Sequence, residues 1–311
     1  MISLKSVGEG LLARSGAARW ALRRRHGQTL ILAYHNVVPD GTDVAGERSL
    51  HLSRSDFARQ LDVLSQSHDV VPLASCLDPP PRGNEKPQAV ITFDDAYLGA
   101  VTTGLAEVAD RGLPATVFVA PGILGNSTTW WDQAAAARGG RLEPVLREKA
   151  LEQFRGDEGE VLTWLDGQPR SESAHSTPPK SDASPSKIAR PDDLDRVDAL
   201  PGVTLGAHGW SHVNLRQSEE PELRAELERP LRWLRSRFDS VIPWLSYPYG
   251  KSTPGVKRAA ADAGYRGAVR VTGGWIEDVD ESDPYGLPRI NVPAGVSIDG
   301  FRLRISGILT S

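Results

Sequence analysis

With 311 residues, 39% of them hydrophobic and 24% charged, the chain has ordinary soluble composition and length for one large or two small packed domains. A formal net charge of -4 argues against nucleic-acid binding as its main business, and no apolar run approaches the roughly 20 residues a bilayer core demands. A single cysteine, Cys76, excludes an intrachain disulfide and a cysteine-rich zinc site, so any metal must be held by histidine and carboxylate.

Residues 1–28 read as a basic segment. Lys5, Arg14, Arg19, Arg23, Arg24 and Arg25 stand against the single acid Glu9. Scattered charge and the lack of an apolar h-region separate it from a secretory signal, so the cytoplasm is the expected location. Leu4, Val7, Leu11, Ala18 and Leu22 share a helical stripe with arginines opposite. That pattern suits either a helix packed on the domain or a peripheral contact with a partner or the inner face of a membrane.

From 29 to 311 the pattern is that of one domain. Apolar, β-branched runs fall at 29–34, 89–93, 115–120, 202–207, 241–246, 267–271 and 287–292, separated by stretches of helical character. Strands alternating with helices predict an α/β fold with a parallel sheet. The segment 55–64 begins with a capping residue and spaces Phe57, Leu61 and Leu64 along one helical face. A second helix, 222–234, is expected to kink or divide at Pro230. Composition makes 78–87 a loop and 166–191 a mobile segment with almost nothing to bury. Helices at 133–138 and 143–154 belong with the latter to an insert at about 133–191.

The chemistry lies after the strands. His35 follows the first run, Asp94 and Asp95 the second, His208 the fourth, and Tyr247-Pro-Tyr-Gly250 the fifth. In parallel β/α folds the carboxyl ends of all strands gather on one face, where catalytic groups cluster. His208 and His212, four apart, are expected on one side of a helical turn. Two imidazoles and one carboxylate make a three-ligand site with an open position, suited to Zn²⁺, Co²⁺ or Ni²⁺. The Asp pair can supply that carboxylate and a general base, provided the turn at the strand end brings both to one cavity. Trp130, Trp131, Trp210 and Trp275 are candidates for stacking on sugar faces or for rim packing.

These segments resemble the NodB-type polysaccharide deacetylases, carbohydrate esterase family four. Ile91-Thr-Phe-Asp-Asp-Ala-Tyr97 is similar to the first family motif, with Ala96 replacing its glycine, a mild change. Gly206-Ala-His-Gly-Trp-Ser-His-Val-Asn-Leu215 resembles the second, and Pro248-Tyr-Gly250 part of the third. The resemblance implies a distorted (β/α)7 barrel that deacetylates an N-acetylated saccharide with one divalent metal ion. It makes Asp94 the base, Asp95, His208 and His212 the metal ligands, and the Tyr249 N–H an oxyanion donor. Tyr247 and Trp210 are further candidates on the substrate side.

Two family features are missing. The third motif commonly carries Arg where this chain has Ser246, and the histidine of the Leu-x-x-His motif, the usual acid, is absent from Leu287-Pro-Arg-Ile290. His35 is the candidate for that proton, or else a buttress of the Asp pair, and Arg289 is a candidate to orient Asp94. The expected substrate is a lipid-linked or nucleotide-linked precursor. Rival readings are a deformylase, a degenerate glycan-binding module and, more weakly, a glycosidase, whose carboxyls would flank the bond from opposite sides.

Overall fold

The computed structural model describes residues 9–10, 12, 16–78, 86–168 and 184–309. In chain order its strands are β1 (Thr29–Tyr34), β2 (Asn36–Val38), β3 (His51–Ser53), β4 (Asp69–Val70), β5 (Gln88–Phe93), β6 (Ala115–Val119), β7 (Val203–Ala207), β8 (Val241–Ser246), β9 (Gly267–Val269) and β10 (Ile290–Asn291). All seven apolar runs become strands. The sequence reading missed β2, β3 and β4, each only two or three residues long and without a run to betray it.

The main sheet is parallel throughout, in the order β10-β1-β5-β6-β7-β8-β9, with β4 on the lower edge of β5. Its ends nearly meet. Leu287 bridges to Val269 of β9, and three residues later Ile290 pairs with Leu32 of β1. One segment thus changes neighbours across the gap, and the architecture is a distorted (β/α)7 barrel.

Side-chain alternation divides the strands into two faces. Ile31, Val90, Phe118, Trp244, Val269 and Leu287 pack together as the barrel interior. Residues of opposite parity, such as Leu30, Leu32, Ile91, Phe93 and Val117, join the core beneath the helices. Gly206 faces inward, where a Cβ would lie 2.7 Å from the Phe118 ring, so a larger residue there would displace the plug. The inward parity then continues upward to His35, Asp94, His208, Ser246 and Arg289. The site is the polar cap of the barrel core.

The helices are α1 (Ala17–Arg23), α2 (Arg54–Ser67), α3 (Leu105–Ala109), α4 (Trp130–Ala136), α5 (Pro144–Gln153), α6 (Glu158–Asp166), α7 (Pro191–Asp198), α8 (Glu220–Arg237), α9 (Pro254–Asp262) and α10 (Ile298–Ile305). Ser53 caps α2, whose Phe57, Leu61 and Leu64 are buried as their spacing predicts. Pro230 does not divide α8. It sits on the buried face with Leu227, Leu231 and Leu234, and that packing offsets the lost backbone hydrogen bond. Among the described residues no helix is long and apolar enough to cross a membrane. Ala18 and Leu22 of α1 turn to the core while Trp20 stays 59% exposed; Leu4, Lys5, Val7, Leu11 and Arg14 lie outside the described residues.

The insert is better ordered at its return than its composition suggests. Residues 169–183 of the expected mobile segment, like 79–85 of the expected loop, lie outside the described residues. Ile188 and Ala189, by contrast, are buried, and this stretch runs against the Asp94-Asp95 turn: Ala189 N–H donates to Ala96 O and Leu98 N–H to Lys187 O. Two small apolar residues in a polar stretch were enough to anchor it.

His68, just past α2, is 1% exposed, with Nε2 donating to Ile305 O at the end of α10. Burial pushes its pKa down to about 4. The unfolded chain, near the ordinary 6.5, therefore binds this proton first as pH falls. Stability contributed by the neutral ring is complete above pH 6.5 and is lost as pH falls from there towards 4, by about 3 kcal/mol. Denaturation midpoints of wild type and His68→Gln across that range are expected to converge as pH drops.

Candidate active site

Asp94 ends β5 on the inward parity and meets Arg289, which comes from the segment closing the barrel. Arg289 Nη1 donates to Asp94 Oδ1 at 2.8 Å and Nη2 to Oδ2 at 2.6 Å. The remaining donors are occupied too: Nη1 reaches Thr92 Oγ1 at 2.9 Å and Nη2 reaches Ser246 Oγ at 2.8 Å. Arg289 is fully buried. Ser246 thus leaves room for a guanidinium delivered from the segment that closes the barrel. Burial favours the neutral acid, but Arg289 and then His208 outweigh it and hold the Asp94 carboxyl below its ordinary value. Asp94 is ionised and fixed in orientation.

Asp95 has the opposite parity and would point away in an extended strand. The backbone instead turns left-handed at Asp95 (φ 68°) and Ala96 (φ 54°), which returns the carboxylate to the same side. Ala96 is therefore a costlier replacement of glycine than it looks in sequence, because a Cβ in this region costs roughly 1–2 kcal/mol. Asp95 Oδ1 lies 3.0 Å from His212 Nε2 and 3.3 Å from His208 Nε2, and the two nitrogens are 3.2 Å apart.

These three buried groups are able to hold a metal ion. His208 Nδ1 is 2.7 Å from the carbonyl of Ser246, which can only accept, so Nδ1 carries the hydrogen and Nε2, on losing its proton, turns a lone pair towards Asp95. Asp95 Oδ1 is buried without a hydrogen-bond partner. The separations lie close to the roughly 3.3 Å edge of a tetrahedron with 2.0–2.1 Å bonds, so the donor set suits a small divalent ion.

The histidine pair does not ride on a helical turn. Residues 208–214 form a loop in which Gly209 and His212 both have positive φ, 72° and 61°. What shapes it is Glu226 of α8, absent from the sequence reading. Glu226 Oε2 accepts the N–H groups of Trp210 and Ser211 at 2.8 and 3.0 Å, and Oε1 accepts the Ser211 hydroxyl at 2.5 Å. Removing both acceptor oxygens breaks this bracket between the two histidines. Glu226→Ala is expected to weaken metal affinity about tenfold with the fold intact, as is typical for groups that orient ligands. Competition with a chelator measures it; unchanged affinity would dismiss the bracket.

Above this group opens a cavity of about 420 Å³. It is lined by His35, Asp94, Asp95, His208, His212 and Tyr249 on the barrel side and by Trp130, Trp131, Arg141 and Arg147 from the insert. His35 is half-buried and forms no hydrogen bond to the Asp pair among the described residues. Burial lowers its pKa against the pull of Asp95 and Asp94. Tyr249 is left-handed (φ 59°), its ring packed 4.7 Å from that of His212.

Three candidates lie elsewhere. Tyr247 is fully buried, with its hydroxyl donating to Tyr285 O, because its side chain follows the outward parity after β8. Trp210 does not line the cavity; its ring lies under Arg229, 4.0 Å from the guanidinium carbon, where the positive-φ loop turns it outward. Trp275 stacks on His68. Trp131, in contrast, faces His212 at 4.8 Å and donates to the Tyr97 hydroxyl, which donates in turn to Asp132. Asp132 also accepts the Glu47 N–H and ties the insert to the site.

A parallel barrel that gathers a fixed carboxylate and an Asp-His-His group at its strand ends has the parts of a metal-assisted hydrolytic site. Residues 82–268, more than half the chain, match the family model described as polysaccharide deacetylase. The chain belongs to the polysaccharide deacetylase family and is thus a hydrolase of amide bonds in N-acetylated sugars. No curated protein matches the sequence. Among solved structures, the deacetylase PplD of Streptococcus pyogenes in complex with acetate is similar at 13% identity, with 89% of this chain and 97% of that one covered and a TM-score of 0.58. A polysaccharide deacetylase from Bacillus cereus gives 13%, 89%, 69% and 0.59, and IcaB from Ammonifex degensii 16%, 90%, 96% and 0.56, in the same order. At these identities the structures establish a shared fold.

Proposed function

We propose that the enzyme hydrolyses the N-acetyl amide of an N-acetylhexosamine unit in a glycan or glycan precursor, using one divalent ion, zinc or else cobalt or nickel. The observation that carries this reading is the Arg289-held Asp94 carboxylate beside Asp95, His208 and His212 in one cavity. Held by those three ligands, the ion supplies charge that polarises the acyl carbonyl and lowers the pKa of water.

Asp94 takes a proton from the attacking water as the new carbon–oxygen bond forms. The Tyr249 N–H donates to the carbonyl oxygen as charge develops there. The carbon–nitrogen bond then breaks, the nitrogen gains a proton, and acetate and the sugar amine leave. His35 gives that proton. It lines the cavity, its ring is free of hydrogen bonds to the Asp pair among the described residues, and its lowered pKa makes its imidazolium a stronger acid than usual. The exposed Trp20 with Arg19, Arg23 and Arg24 on and beside α1 supports a peripheral contact at the inner face of a membrane.

The test is amine release from N-acetyl- and N-formylhexosaminides without glycosidic cleavage, with Asp94→Asn as control. Near-normal release by His35→Ala would remove His35 from the acid role. Faster release from the formyl series would make the enzyme a deformylase, and glycosidic cleavage without amine would sink the reading.

A further inference from the structure

The insert supplies the outer wall of the cavity, and that wall is basic. Arg141 and Arg147 line the mouth and are exposed, and among the described residues neither side chain makes an ion pair or a hydrogen bond. Elsewhere arginines commonly have partners: Arg54 meets Glu107, Arg111 meets Asp62 and Glu107, Arg155 meets Glu222, and Arg237 meets Asp192. The chain as a whole carries -4, so a basic mouth does not reflect bulk composition.

Glu47, the acid at this rim, is already committed. One of its oxygens accepts the Ser49 N–H at 3.2 Å and the other accepts the Leu142 N–H. It thereby holds the backbone immediately beside Arg141 and leaves the guanidinium facing the cavity. Arg147 lines the same cavity as Tyr249, Asp95, His208 and His212, so this second cation shares the space above the reacting groups. On the inner side, the Asp94 charge is matched by Arg289, and a divalent ion would exceed the single charge of Asp95. Inner and outer walls both favour an anion.

We propose that the substrate carries a phosphate or diphosphate ester next to its N-acylated sugar, and that Arg141 and Arg147 grip it. Two guanidiniums on one wall can share the several oxygens of a phosphate ester, whereas one carboxylate occupies a single fork. A neutral oligosaccharide would leave both cations without a counter-charge. This inference rests on the deacylase reading for the identity of the sugar, but the anion grip is measurable without turnover.

Binding separates the two. An N-acetylhexosamine linked to a nucleoside diphosphate, the same sugar on a short prenyl diphosphate, and its neutral methyl glycoside are titrated into the metal-loaded enzyme, into Asp94→Asn, and into Arg141→Gln/Arg147→Gln. At least one diphosphate ligand is expected to bind wild type and Asp94→Asn more tightly than the glycoside. The arginine double variant is expected to lose about tenfold to hundredfold for that ligand alone, the range for charge-assisted hydrogen bonds. Preference for the nucleotide or the prenyl ligand identifies the carrier. Equal affinity for all three ligands, no detectable binding of either diphosphate, or full affinity in the double variant overturns the grip. Tight diphosphate binding without amine release would leave the grip standing and remove the deacylase reading instead.

Discussion

Replacing Arg289 with alanine is expected to cost about 3–5 kcal/mol of folding stability and to abolish turnover. The stability loss follows from burial. Asp94 is 3% exposed and Arg289 fully buried, so deleting the cation strands a carboxylate away from water. It also strips donors from Thr92 Oγ1 and Ser246 Oγ, and the guanidinium stands over the Phe118 ring that plugs the barrel. Chemical denaturation measures the loss. The catalytic loss has a different origin, because without Arg289 burial raises the Asp94 pKa and its ring of donors no longer fixes its orientation. Arg289→Lys separates the two: a single ammonium restores charge but cannot fork across both Asp94 oxygens, so stability is expected to recover more than turnover. Asp94→Asn with Arg289→Ala is expected to be less unstable than the sum of the singles, since neither partner is then left charged and alone. Additive losses would show that the pair is not coupled.

How much of this was legible beforehand divides along physical lines. Strands announced themselves because seven apolar runs must be buried, and their ends placed His35, Asp94 and His208 on one rim without knowledge of the turns. The turns were not legible. Nothing in Asp94-Asp95-Ala96 says that two non-glycine residues adopt positive φ, yet this returns Asp95 to the cavity. His208-x-x-x-His212 suggested a helical turn because spacing was the available signal, while the loop is set by Glu226 from a helix distant in sequence. Tyr247 and Trp210 were selected by residue type near a motif, and parity and the loop send both elsewhere. Arg289 was legible as a partner for Asp94 because a guanidinium pairs well with a carboxylate, and the structure shows that pairing. The insert gave no sign that it forms a wall, since nothing in the spacing of Arg141 and Arg147 ties them to the strand ends.

Stripping the metal is expected to end turnover altogether, with Zn²⁺ or Co²⁺ restoring it, and His212→Ala is expected to lower kcat/KM by about 10³-fold or more. A thousandfold is about 4 kcal/mol of transition-state stabilisation, within what a Lewis acid supplies at a carbonyl oxygen. Activity alone would not distinguish a lost ligand from a damaged fold, so stability decides. An ion that binds only the folded chain adds about 2.7 kcal/mol at a hundredfold excess over its Kd, a shift of several degrees in Tm. Wild type and Asp94→Asn should both show that shift, since Asp94 is not among the three converging ligand atoms. His212→Ala should show little of it while retaining the metal-free Tm to within a few degrees. The reason lies in what the metal-free site already contains: a buried Asp95 Oδ1 and a buried His212 Nδ1, each without a hydrogen-bond partner. Such groups cost folding free energy, and the chain keeps them where an ion would turn the first into a bond. A full metal shift in His212→Ala would mean that the ion sits elsewhere, and the assignment of Asp94 as base would have to be made again from that new position.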